Sequence, residues 1–201
     1  MPPGLAGAAH ATVPAAAFVL ALVATPAARA EANPYAGWVG QAGLPFVGGT
    51  QVLRARIAAN HPQQEVRALA FAGPDFALYR MSAGGVGAGV SLGPLLVSTG
   101  GVRHAVLPVA AGARVEVARI ATHRAYVGVA AERLLADGDV IAGGRTGAAF
   151  TLGVEYLKPA GVGWGMQAGL HTADVRVPAT AFGADRRARP GVVRWGAFFR
   201  F

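Results

Sequence analysis

The sequence predicts an all-β protein, a transmembrane antiparallel up-and-down β-barrel of eight strands, with ten as the alternative, after a cleaved signal peptide. Three observations predict it. Apolar residues recur at every second position in several segments, the residues between them are small or sparsely polar, and only 14% of the 201 residues are charged although 53% are hydrophobic. That charge share is about half the globular average of roughly 25%, too little to coat a water-soluble sheet. In lipid a small barrel inverts the soluble rule: apolar side chains point out to acyl chains, polar ones point in, and closure leaves no unpaired edge.

The first element is the leader. Residues 13–24, VPAAAFVLALVA, are too short for a transmembrane helix, which needs about 20 apolar residues. Thr25-Pro26 and Ala28-Arg29-Ala30 follow, with small residues where signal peptidase needs them. Residues 1–30 therefore read as a signal peptide and 31–201 as the barrel domain. Loss of Arg29 lowers the formal charge from +8 to +7, so the exported chain stays basic. The absence of Cys excludes disulfides, Cys-ligated metals and a thiol nucleophile.

A helical span must be weighed against this, because the longest uncharged stretch of the exported part is Met81–Val102. Seven of its residues are Gly and Pro94 sits within it; each Gly costs about 1 kcal/mol against Ala in a helix interior. Strand candidates in order are 35–43, 50–59, 66–72, 84–97, 112–121, 124–134, 147–157, 161–174 and 191–201, with 101–109 a further one. Single-chain bacterial barrels use even strand numbers, and strands of about ten residues span the membrane, so eight fit with ample loop. The glycine cluster Gly84–Gly89 reads as lumen and turn glycine, since no βαβ context surrounds it.

The clearest elements come late. Phe150, Leu152, Val154 and Tyr156 alternate with Thr151, Gly153 and Glu155, and Val162, Trp164, Met166, Ala168 and Leu170 alternate with Gly163, Gly165, Gln167, Gly169 and His171. Pro159-Ala160-Gly161 between them suits a three-residue hairpin loop. Pairing Lys158 with Val162 sets Tyr156 against Trp164, Val154 against Met166 and Leu152 against Ala168, all on the apolar face.

The chain ends VVRWGAFFRF, with Val193, Trp195, Ala197, Phe199 and Phe201 on one face and Arg194, Gly196, Phe198 and Arg200 on the other. This ending resembles the C-terminal signature of bacterial outer-membrane β-barrel proteins. The resemblance implies that Val193, Trp195, Ala197, Phe199 and Phe201 form the signal read by the barrel-assembly machinery during insertion into the cell outer membrane. The layout is also similar to small eight-stranded barrels such as the OmpA transmembrane domain and, more loosely, to YfaZ-type barrels.

With the C-terminus at the periplasmic rim, the Lys158–Gly161 turn is periplasmic and the longer connections 136–146 and 175–190 face outside. Trp164, Tyr156, Trp195, Phe199 and Phe201 gather toward one rim as an aromatic girdle. Parity places Arg54, Arg56, Arg114, Glu116, Glu132, Glu155, Gln167, His171, Arg194 and Arg200 in the lumen. Charges buried there must pair or meet water, so an Arg/Glu network that plugs and stiffens the barrel is expected; a narrow, basic, porin-like pore is the alternative, and eight strands leave an interior just wide enough for side chains.

Arg176, Arg186, Arg187 and Arg189 are expected to meet lipopolysaccharide phosphates, as guanidinium groups do in bidentate fashion. Partners are thus outer-membrane lipid, lipopolysaccharide and the assembly machinery; nucleic acid is not expected, nor a cofactor or metal, and a monomer is. The rival class is a barrel enzyme that modifies lipid A, whose pattern asks for a His and a Ser two residues apart on a late strand. Here Ala173 stands where that Ser would follow His171, and Thr172 points to the other face, so no nucleophile lies beside the base. The expected role is structural, or binding through outer loops, without catalysis.

Overall fold

The computed structural model describes residues 36–63, 70–99 and 102–201; the signal peptide expected over 1–30 lies outside them. Eight antiparallel strands form a closed barrel: β1 (Gly37–Gly48), β2 (Asp75–Met81), β3 (Val86–Leu92), β4 (Val102–Ile120), β5 (His123–Leu135), β6 (Gly147–Leu157), β7 (Gly163–His171) and β8 (Val193–Arg200). Each strand pairs with its chain neighbours, and β1 closes on β8 from Gln41↔Arg200 to Gly48↔Val193. The ladder runs one residue further, since Gly40 and Phe201 exchange backbone hydrogen bonds at 2.8 and 3.0 Å.

The hairpin register matches the expectation residue by residue. Tyr156 faces Trp164, Val154 faces Met166 and Leu152 faces Ala168, and the Lys158 N–H donates to the Val162 carbonyl at 2.9 Å. Gly161 takes the left-handed φ of +83° that the turn requires.

The wall has the inverted polarity. Leu44, Phe76, Leu78, Val90, Leu152, Val154, Met166 and Phe199 point outward and stand exposed, while Gln41, Arg114, Arg124, Glu132, Glu155 and Arg200 are buried inside. Short turns at 82–85, 121–122 and 158–162 lie at the end that also holds Gly37 and Phe201. Four longer connections lie at the other, the loop end.

Five expected segments differ, and one strand was not among those expected. Segment 50–59 is not a strand: Gln51–Asn60 forms a helix, α1, because Leu53 and Ile57, four residues apart, are buried together. Of 66–72, residues Ala70–Ala72 form a short strand outside the barrel, paired to Leu95–Val97. Strand β2 was absent from the expected set, and 101–109 and 112–121 are one strand, β4. Segment 84–97 breaks at Gly93-Pro94 into β3 and a second piece, Leu95–Thr99, which continues along the protruding half of β4. Eight is thus the right number, reached with a different set.

Trp195 also departs from the expected girdle. It pairs with Phe46 and stacks on it with ring centroids 4.6 Å apart. Four residues from Phe199, it stands about 13 Å along the strand from the rim where Tyr156, Trp164 and Phe201 gather.

Outside the barrel mouth the loops build a small apolar core. Leu53 and Ile57 of α1, Leu95 and Val97, Val106, Ile141, Val175 and Val177 are buried together with Leu134. Its floor is the barrel itself, because Leu134 is the last inward residue of β5 and Val47, the last of β1, packs against it.

Candidate functional site

The interior is organised by the two-residue period, with inward-facing side chains from several strands meeting in clusters. Toward the turn end, Glu155 on β6 accepts from Arg114 Nη2 of β4 at 3.2 and 3.3 Å and from Arg200 Nη1 of β8 at 2.5 Å. All three side chains are no more than 4% exposed. The Arg114 guanidinium also lies 4.4 Å from the Tyr126 ring centroid and 5.1 Å from that of Tyr79, a cation held by a carboxylate and two aromatic faces. Phe198, the inward aromatic of β8, meets Tyr126 edge-on at 6.4 Å.

Below this layer Glu116 receives Arg124 Nη1 and Arg119 Nε, both at 2.6 Å. Above it, the Tyr126 hydroxyl donates to Gln167 Oε1 at 2.9 Å. A third cluster stands near the loop end, where Glu132 accepts from Arg194 Nη1 at 2.7 Å and contacts His171 Nδ1 at 3.1 Å. Between the Arg114 layer and the cap lies a cavity of about 120 Å³ lined by Gln41, Asp75, Glu132, His171 and Arg194.

Of the ten expected lumen residues, eight face inward: Arg114, Glu116, Glu132, Glu155, Gln167, His171, Arg194 and Arg200. Arg54 and Arg56 do not. They stand on the exposed side of α1, outside the barrel, because the helix buries Leu53 and Ile57 instead. Sequence reasoning missed Arg124, Tyr126 and Tyr79. The first two share parity with Glu132 on one strand, so the same alternation marks them; Tyr79 was lost with β2.

The four arginines of the last long loop lie on the cap. Arg176 and Arg187 pair loosely with Asp185 and Asp174 at 3.6 and 3.5 Å and remain about half exposed. The loop is stapled to α1: the Asn60 side chain donates to the Pro178 and Ala184 carbonyls at 2.8 and 3.0 Å, and Thr180 Oγ1 donates to the Asn60 carbonyl at 2.6 Å. Arg54 and Arg56 thereby join the same basic cap.

His171 turns inward to Glu132. Thr172, beside it, is engaged with the Ala148 backbone, with Oγ1 accepting from its N–H at 2.7 Å. The terminal set Val193, Trp195, Ala197, Phe199 and Phe201 lines the outer face of β8, and the Phe201 ring lies over Gly40, where a side chain would collide with it.

No protein-family model matches the chain, and no curated protein sequence matches it. Among solved structures it is similar to the outer membrane protein OprG from Pseudomonas aeruginosa, with TM-score 0.54 and 12% identity over 83% of this chain and 96% of that one. It is also similar to the outer membrane protein AlkL, solved in lipid bilayers, with TM-score 0.52 and 16% identity over 88% and 95%. The fold is that of small bacterial outer-membrane β-barrels.

Proposed function

We propose that this is an exported outer-membrane barrel that does not conduct, and that binds the anionic outer surface through its arginine-bearing cap. The observation that carries the reading is the Arg114–Glu155–Arg200 layer, whose members come from β4, β6 and β8 and meet in the middle of the lumen. With an apolar core packed against Leu134 and Val47 at the mouth above, a solute would still have to displace the buried ion pairs of the lumen. Breaking a buried pair costs about 3–5 kcal/mol.

Loop-end arginines support the binding half of the proposal. Arg54, Arg56, Arg176, Arg186, Arg187 and Arg189 stand on one cap, where phosphorylated lipid would meet them. A catalytic role is disfavoured, since His171 is committed to Glu132 within the lumen and has Ala173 where a nucleophile is needed.

Single-channel recording in planar bilayers tests the first half: no steps above baseline are expected, and discrete conductance would contradict it. Replacing Arg176, Arg186, Arg187 and Arg189 by Gln tests the second, with reduced lipopolysaccharide co-purification expected and unchanged co-purification against it.

A further inference from the structure

The outer wall carries a depression that the lumen chemistry does not use. It is centred on Ala168 and bounded by Val127, Phe150, Leu152, Leu170 and Val193. Its origin is a size mismatch in one row of the sheet. Ala168 is paired with Leu152 on one side and Trp195 on the other, and Met166 and Leu170 flank it along the strand, so one methyl sits among four large side chains. Behind it Gly128 and Gly169 add no bulk. Leu152, Leu170 and Phe150 are each more than half exposed, so the dent opens onto the lipid side.

Both strands that floor the dent run upward into a charged anchor. The Arg145 N–H, just beyond the loop end of β6, donates to Asp174 Oδ1 at 2.8 Å. The same oxygen lies 3.5 Å from Arg187 Nη1. Asp174 follows β7 by three residues, so one carboxylate holds two arginine-bearing segments over the β6–β7 sector. Arg145 meets Asp174 through its backbone N–H while its side chain stands exposed, so two arginines beside one carboxylate leave this sector formally net positive. From Arg145 to Phe150 is five residues, at most about 17 Å of extended chain.

We propose that this sector is a specific lipid site: the Ala168 dent seats one acyl chain of a phosphorylated, acylated outer-leaflet lipid, and Arg145 and Arg187 receive its phosphate. The inference rests on the outer-membrane placement above and deepens it. The dent is continuous with the lipid-facing band, and a void there would forfeit dispersion contacts on one side, whereas a flexible chain fills it. Phosphate matches guanidinium in charge and in bidentate geometry.

The test refolds the full exported chain into nanodiscs containing bisphosphorylated hexa-acyl lipid A in phosphatidylcholine, then counts retained lipid by native mass spectrometry after detergent exchange. Wild type is expected to keep one lipid A per barrel. Ala168→Phe, which fills the dent, and the pair Arg145→Gln with Arg187→Gln are each expected to lose it. Ala168→Leu serves as a milder filling, and heat-modifiable migration verifies folding in every variant. Wild type that keeps no lipid A, or filled variants that keep it as wild type does, would overturn the site. If filled variants keep lipid A while the variant lacking Arg176, Arg186, Arg187 and Arg189 loses it, the basic-cap reading stands and the groove falls. If no variant loses it, both fall.

Discussion

Arg114 on β4 and Glu155 on β6 meet over the intervening strand β5, with Nη2 at 3.2 and 3.3 Å from the two carboxylate oxygens. The pair reaches across the lumen rather than along a ladder, so it ties together strands that share no backbone hydrogen bonds. Arg200 adds β8 to the same carboxylate. Glu155→Gln removes the carboxylate charge that two buried guanidinium groups share and is expected to cost about 3–5 kcal/mol. Urea unfolding in detergent, followed by loss of heat-modifiable migration, measures it. Replacing Arg114 by Met and Glu155 by Leu together should cost less than Glu155→Gln alone, because one buried guanidinium, that of Arg200, then loses this carboxylate instead of two.

Asn60 holds α1 to the last loop through two side-chain bonds. Asn60→Ala leaves the Pro178 and Ala184 carbonyls without those donors, at about 1–3 kcal/mol of local stability. Faster proteolysis within 172–192 is expected, with barrel unfolding unchanged.

Outside the barrel, His104 on the protruding half of β4 contacts Thr99 Oγ1 at 2.6 Å. Burial first, then the nearby His61, holds its pKa below the ordinary 6.5. A base with a depressed pKa folds in its neutral form, so its stabilising contribution is intact above pH 6.5 and is lost as pH falls from there toward the folded value. Hydrogen-exchange protection of the paired segments 95–99 and 102–106 should drop below pH 6.5, and His104→Gln should remove that dependence.

Leu152 sits mid-strand on the lipid side of β6. Leu152→Arg is expected to destabilise by about 2–4 kcal/mol, the cost of a cation near the bilayer midplane. Thr151→Arg, one residue along but pointing inward at the lumen cavity, should cost less than Leu152→Arg in the same unfolding assay.

How much of this was legible in the sequence depends on contrast between the two faces. In β6, β7 and β8 bulky apolar residues alternate with Gly, Thr, Gln or Arg, so register and facing were readable, including inward Phe198. In β2 the inward row includes Tyr79 and Met81 while Arg80 points out near the turn end, so the alternation loses its contrast and the strand was missed. Arg54 and Arg56 alternate with apolar neighbours and mimic a strand, yet the four-residue spacing of Leu53 and Ile57 decides for helix once the cap offers a core to bury them. Segments 101–109 and 112–121 read as separate strands, but the ladder from β4 to β5 runs through the gap between them. The ion pairs were beyond sequence: parity gives which residues face inward, whereas partners across a lumen depend on closure and stagger.

The inverted wall is tested most directly by scanning β6 with spin labels, since the chain has no cysteine of its own. Single cysteines from Phe150 to Tyr156, labelled in bilayers, should alternate: accessible to lipid-soluble oxygen at 150, 152, 154 and 156, and shielded from it at 151, 153 and 155. Equal oxygen accessibility at odd and even positions, or the opposite phase, would contradict the account.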